Sequence, residues 1–318
     1  MRTFRSIPSD RAELIEVPVD DGLVLNLYRF AGGHDRPALL FGHACGFAAG
    51  SYVPLLTRLT ALADVFAVDA RGHGGSDAPT ADLSVYSSDH YARDLARIGR
   101  AVAARKSQAP ILYVGHSLGA ATLLRLGSLN PVEFDSVPWR AALLFEPPIF
   151  PSPGHPCHAE SQAQDDRLVE RTKMRRARWP DPEVFAAALA DRGIFKRVTP
   201  EFLRAHAAAG LRPTTDETGY ELCCPPAVEA QTFLAFNDAS AFDALSRFPA
   251  DLPLHLVGGD AADPERSWVT LMAPAIAARL GAPSPRRHFT ALPGRGHLMV
   301  LEDPEMTQSL VQTMLSEY

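Results

Sequence analysis

The chain has 318 residues, of which 46% are apolar and 21% charged, enough for one large core or a core with an inserted subdomain, and too apolar for a disordered chain. A net charge of −6 offers no basic field to a phosphate backbone, which argues against nucleic acid as a partner. Residues 1–17 mix Arg, Asp and Glu without the apolar centre of a signal peptide, and no run is long enough to span a bilayer, so a cytoplasmic protein without a membrane partner is expected. Cys45, Cys157, Cys223 and Cys224 are too few and too oddly placed for a disulfide framework, so reduced thiols are expected.

In chain order, Glu13 to Val19 and Leu23 to Phe30 read as strands around a turn at Asp20, Asp21 and Gly22. Ala38 to Gly42 and Val65 to Asp69 are short buried strands separated by a helix from about Tyr52 to Leu62. A helix opened by Ser87 or Ser88 follows, with Tyr91, Leu95, Ile98 and Val102 on one face. Ile111 to Val114 and Ala141 to Phe145 are further apolar strands, with a helical run from Ala120 to Leu129 between them. This alternation predicts a mostly parallel sheet covered on both sides, a doubly wound α/β fold.

From Pro147 to about Ala250 the rhythm breaks. No strand-like run is visible, prolines cluster at Pro147, Pro148, Pro151, Pro153 and Pro156, and helices are expected at Arg167 to Arg178, Pro182 to Asp191, Pro200 to Ala209 and Ala227 to Phe236. The alternation then resumes with Leu252 to Val257, a helix near Trp268 to Leu280 and a strand near Arg287 to Leu292. A last helix is capped by Asp303 with Pro304 at its first position and Met306, Leu310 and Met314 inward. The expected organisation is a core of residues 1–146 and 251–318 interrupted by a helical cap, 147–250.

Gly115-His116-Ser117-Leu118-Gly119 sits between a strand and a helix. A serine at the tip of so tight a turn projects its hydroxyl clear of the sheet. The flanking glycines remove Cβ clashes, and the first helical N–H groups point to where an oxyanion would form. A serine needs a base, and His297, in the late loop Pro293-Gly294-Arg295-Gly296-His297 between the last strand and the last helix, arrives where chain order calls for one.

Together with His43-Ala44-Cys45-Gly46-Phe47, Asp69-Ala70-Arg71-Gly72-His73-Gly74-Gly75-Ser76 and Gly296-His297 followed by Glu302-Asp303-Pro304, these residues resemble the α/β-hydrolase superfamily over almost the whole chain. Within it the chain is similar to a capped group with an H-A-x-G-F loop, Glu146-Pro147 after the sixth strand, an arginine-rich segment ending in Trp179-Pro180, and Cys224 to Ala230 in the cap. The resemblance implies a serine, histidine and acid triad, with oxyanion donors at the backbone N–H of Leu118 and of Cys45. It leaves the acid open. Most of the superfamily uses an aspartate after the seventh strand, yet Asp260 falls early and Asp263 late; some lactone hydrolases use the position of Glu146. A glutamate ending a strand beside the crevice where such sheets place their sites favours Glu146, with Asp263 and then Asp260 in reserve.

His43 and the Arg71 to Ser76 turn read as architecture, and the Cys45 thiol as small filler. His155, Cys157 and His158 resemble a metal cluster, but no fourth ligand is spaced to close it, so no metal or other cofactor is expected. Arg171, Arg175, Arg176 and Arg178 form a basic stripe, read as a solvated or salt-bridged face, or more sharply as a site for an acidic substrate group. Phe150, Trp179, Phe185, Phe195, Phe202, Phe233, Phe236 and Phe242 could roof an apolar pocket.

The expected function is a serine hydrolase that cleaves a small-molecule carboxylic ester or lactone through an acyl-enzyme, with an apolar substrate favoured. The alternatives are C–C bond hydrolysis or perhydrolysis on the same triad, or a non-catalytic receptor or scaffold on this fold. Serine at the elbow excludes dehalogenase and epoxide hydrolase chemistry, which needs aspartate there. Neither the substrate nor the oligomeric state can be read from the sequence.

Overall fold

Runs such as Ala38–Gly42 and Ile111–His116, in which every residue is buried, have no polar face to give to water, so they form strands covered on both sides. The computed structural model describes residues 4–30, 32–33 and 35–318, so the first three residues of the segment read for a signal peptide lie outside the described residues. Its strands are β1 (Glu13–Pro18), β2 (Val24–Phe30), β3 (Ala38–Gly42), β4 (Asp64–Val68), β5 (Ile111–His116), β6 (Trp139–Phe145), β7 (Arg178–Trp179), β8 (Leu211–Pro213), β9 (Tyr220–Leu222), β10 (Leu254–Gly258) and β11 (Arg287–Ala291). Eight of them form one sheet in the order β1-β2-β4-β3-β5-β6-β10-β11. β2 runs antiparallel to β1 and β4, and every other pair is parallel. The doubly wound α/β architecture is therefore as expected.

The helices are α1 (Val53–Leu59), α2 (Ser88–Arg105), α3 (Leu118–Leu129), α4 (Pro131–Asp135), α5 (His158–Lys173), α6 (Pro182–Leu189), α7 (Pro200–Gly210), α8 (Pro226–Ala235), α9 (Ser240–Ala244), α10 (Trp268–Arg279), α11 (Met299–Glu302) and α12 (Pro304–Glu317). Helix starts follow local chemistry. Ser87 accepts from His90 N at α2, and Asp303 accepts from Met306 N ahead of Pro304 at α12. Of the three apolar residues expected inward on α12, Met314 is buried and Met306 and Leu310 are partly so.

Two expectations for the insertion fail. β7, β9 and β8 pair into a three-stranded sheet where no strand was expected, because pieces of two or three residues are too short for alternation to show. The helix expected to reach Arg178 is α5, which ends at Lys173, so the basic stripe does not lie on one helix.

The insertion packs mainly on the sheet layers. Val228, Phe236 and Phe242 join the hydrophobic cluster that holds α2 and α3, while Phe195, Phe202 and Leu203 join the one that holds α1 and α12. Its own buried cluster comprises Phe185, Ala207, Leu211 and Leu222. At about 1.5–3 kcal/mol for each large apolar side chain removed from water, the aromatic residues expected to roof a pocket mostly anchor the insertion to the core.

Candidate active site

β5 ends at His116 and α3 begins at Leu118, so Ser117 alone makes the turn, with φ 51° and ψ −111°. Such a backbone is strained for a side chain with a Cβ and is sustained by its surroundings. Ser117 N donates to Phe145 O at 2.8 Å, and a Cβ on Gly119 would stand 2.4 Å from Gly42 O, so α3 can lie this close to β3 only with glycine there.

The pairing of His116 with Phe145 across β5 and β6 makes Glu146 the next residue beyond the neighbouring strand. Glu146 is itself at φ 45° and fully buried. His297 joins the two: its Nδ1 lies 2.9 Å from Glu146 Oε2 and its Nε2 3.1 Å from Ser117 Oγ. A carboxylate partner makes Nδ1 the protonated nitrogen, which leaves Nε2 to accept from the serine hydroxyl. Glu146 has two further donors, Gly259 N at 2.7 Å and Thr270 Oγ1 at 2.9 Å, so the buried carboxylate is held in one orientation.

The reserve acids do not touch His297. Asp260 accepts from Ala262 N and Gly294 N, both at 2.8 Å, and these bonds hold it below the usual carboxylate range. Asp263 pairs with Arg197 at 2.5 Å, which lowers its pKa in the same way. Neither Thr270 nor Gly259 was legible as a site residue, since nothing in a helix threonine or a strand-end glycine marks a partner more than a hundred residues away.

Leu118 opens α3, so its N–H has no intrahelical acceptor; Cys45 faces the same space from the loop after β3. Burial and nearby Glu229 push the Cys45 thiol pKa well up, which keeps it neutral. His43 accepts from Ala70 N at 3.0 Å and its Nδ1 lies 2.8 Å from Ala44 O, so it ties that loop to the one after β4. Arg71 is fully buried and gripped by Asp94 at 2.6 and 2.8 Å, the architectural role expected for its turn.

A cavity of about 400 Å³ opens over Ser117, Leu118, Cys45 and His297. Phe233, Phe236, Leu168, Ile194, Trp268 and Val269 make it largely apolar, while Arg167, Arg171 and Arg266 bring charge to its wall. Of the aromatic residues expected to roof a pocket, Phe233 and Phe236 line this one. The rest of the basic stripe goes elsewhere: Arg175 pairs with Glu229, Arg176 stacks on Trp179, and Arg178 approaches Asp216. Of the three residues that resemble a metal cluster in the sequence, His155 and His158 pack on Phe242 and Phe150, and Cys157 N donates to His155.

Residues 32–307 match the Alpha/beta hydrolase family, and the chain belongs to it. It is 26% identical over 300 residues to the 2-(acetamidomethylene)succinate hydrolase of Mesorhizobium japonicum (strain LMG 29417 / CECT 9101 / MAFF 303099), covering 93% of this chain and 94% of that protein. Among solved structures, it shares its fold with E-2-(acetamidomethylene)succinate hydrolase, with a TM-score of 0.74 and 22% identity over 96% of this chain and 99% of that one. It also shares it with the N-formylmaleamic acid deformylase of Pseudomonas putida S16, with a TM-score of 0.63 and 17% identity over 94% and 99% of the two chains. No helix among the described residues is long and apolar enough to cross a membrane.

Proposed function

We propose that this α/β hydrolase works through an acyl-enzyme. Ser117 attacks a carbonyl carbon, and His297 takes the hydroxyl proton and returns it to the leaving group. Glu146 holds the imidazole tautomer and stabilises the imidazolium. The oxyanion is stabilised by the N–H groups of Leu118 and Cys45, and water then releases the acyl group. The observation that carries this reading is the unbroken series from Glu146 Oε2 through the His297 ring to Ser117 Oγ, at 2.9 and 3.1 Å, on the floor of a cavity. Residues 147–250 act as a cap on the core of 1–146 and 251–318, contributing Arg167, Leu168, Phe233 and Phe236 to the cavity wall.

On the bond that breaks, ester or lactone cleavage came first from the sequence, and the comparisons favour its alternative. The named relatives are a hydrolase of (acetamidomethylene)succinate and a deformylase of N-formylmaleamic acid, neither of which is named for an ester or a lactone. We therefore place cleavage of an acyl bond other than an ester's, on the same three residues, ahead of ester cleavage: the N-acyl C–N bond that both names carry, or a C–C bond beside a carbonyl. In the latter case the leaving group is an enolate carbon that takes its proton from His297. An N-acyl substrate therefore belongs beside a diketone in the test.

The test is initial rates on an activated aryl ester, a diketone and an N-acyl enamine dicarboxylate, for the wild type and Ser117→Ala. The variant should fold normally by circular dichroism and lose on the order of 10⁴ to 10⁶ in rate. More than about a tenth of the activity surviving would sink the acyl-enzyme. Turnover of the aryl ester with none of the other two would restore the ester reading.

A further inference from the structure

Three arginines reach the cavity above Ser117, and their surroundings leave them with binding capacity to spare. Gln164, Arg167, Leu168 and Arg171 all line it and recur at helical spacings of three and four, so one face of α5 forms that wall. Arg167 and Arg171 have no hydrogen bond or ion pair among the described residues. The acids around them are already engaged: Asp166 accepts from Gln162, Glu170 pairs with Lys173, and buried Asp165 takes Asn237 at 2.6 Å. Across the cavity, Glu265 is held by Lys196 at 2.7 and 2.9 Å. Arg266 provides a second, independent observation, since among the described residues its buried Nε has no partner and its only side-chain bond is a long one, 3.4 Å to Asp263 O.

A guanidinium is a planar fork that matches a carboxylate in two parallel bonds, and it binds more strongly beside an apolar wall than in open water. We propose that Arg167, Arg171 and Arg266 form a carboxylate-binding subsite, so that the substrate is a short acyl compound bearing at least one free carboxylate remote from the bond that breaks. This rests on the reading of Ser117 as the nucleophile of the same cavity, and it replaces the apolar substrate favoured from the sequence. The apolar residues then enclose the carbon skeleton while the arginines set its orientation.

The experiment is calorimetric titration with succinate, succinamide and inorganic phosphate, on the wild type and on Ser117→Ala, which reports binding without chemistry. Succinate should bind both proteins, and its uncharged analogue succinamide neither. Arg171→Gln, Arg167→Gln and Arg266→Gln should each weaken succinate about ten- to hundredfold, the worth of one charge-assisted bond. Arg176→Gln, whose arginine stacks on Trp179 outside the cavity lining, should change nothing.

Equal binding of succinate and succinamide, no succinate binding at all, or full succinate affinity in the three variants overturns the subsite. Phosphate binding as tightly as succinate overturns the carboxylate assignment. Labelling of Ser117 by a fluorophosphonate separates the two readings. A labelled serine with no succinate binding retains the nucleophile and loses the subsite, and bound succinate with an unlabelled serine does the reverse.

Discussion

His116 Nε2 lies 2.8 Å from the carbonyl oxygen of His297, so the residue just before Ser117 holds the peptide that carries the proposed base. The contact is one link in a buried series. Tyr52 OH accepts from Ala44 N at 3.2 Å and donates to His116 Nδ1 at 2.7 Å, which leaves Nε2–H to donate to His297. Burial pushes His116 down to about 3 and the Tyr52 phenol up, so both stay neutral and the direction of donation is preserved. The loop next to Cys45, the elbow and the histidine loop are thus tied together through two side chains.

Tyr52→Phe keeps the ring and removes the hydroxyl, leaving Ala44 N and His116 Nδ1 unpaired at about 1–3 kcal/mol each. We expect a lower Tm and a kcat reduced more than KM, since the groups it positions act on the reaction rather than on the bound carbon skeleton. Thermal unfolding and steady-state kinetics check this. Unchanged Tm and kcat would mean that packing alone places the loops.

For the acid, Glu146→Gln should stay folded and lose about 10⁴ in turnover, because the imidazole loses both its tautomer and its counter-charge. Asp260→Asn and Asp263→Asn should each keep activity within about tenfold, since neither carboxylate touches His297 and a solvent-screened pair such as Asp263 with Arg197 contributes little. The measurement is initial rate with circular dichroism as the folding control. A dead Asp263→Asn beside an active Glu146→Gln would move the acid to the loop after β10.

Glu229 is buried against Gly46, where a Cβ would come within 2.5 Å of its carboxylate, and Arg175 is its cationic partner. Arg175→Met leaves that carboxylate alone, at a cost of about 1–3 kcal/mol. Burial already raises the Glu229 pKa above its ordinary 4.5, so the penalty of the unpaired charge is present at high pH and fades as the group takes up a proton. The Tm deficit of the variant should therefore be larger at pH 8 than at pH 5. An equal deficit at both would assign it to lost packing of the arginine stem.

Burial holds His43, His116 and His206 down to about 3, and His73 and His255 to about 4. Their folded values lie below the ordinary 6.5, so the stability they contribute is present above pH 6.5 and is lost as the pH falls toward 4 and 3. Asp69, raised to about 6 by burial, works in the opposite sense, as do Asp94, Asp165, Glu229 and Glu302, whose carboxyls burial also raises, while His90, lowered by burial, adds to the imidazoles. Tm should fall on acidification from neutral pH, with net proton uptake on unfolding at about pH 6, where the unfolded imidazoles titrate. Calorimetry in two buffers of different ionisation heat measures that uptake, and proton release would contradict the assignment.

The sequence by itself determined the alternation of strand and helix, the elbow at Ser117, the late loop of His297 and the caps at Ser87 or Ser88 and at Asp303, because each depends on residues within a few positions of one another. It could only rank Glu146 above Asp260 and Asp263; the register of β5, β6 and β10 decides which carboxylate meets the imidazole, and register is a relation between strands, not a property of one. The same holds for the short strands of the insertion, for Thr270 and Gly259 on Glu146, and for His116 on the carbonyl of a residue 181 positions away. The arginine stripe makes the point most directly: its residues were visible as charge, but Arg175 turns to Glu229 and Arg171 to the cavity only once α5 ends at Lys173 and packs against α8. Local chemistry sets which side chains are present and how the backbone runs past them, and only tertiary packing decides which of them find partners and which are left free to bind.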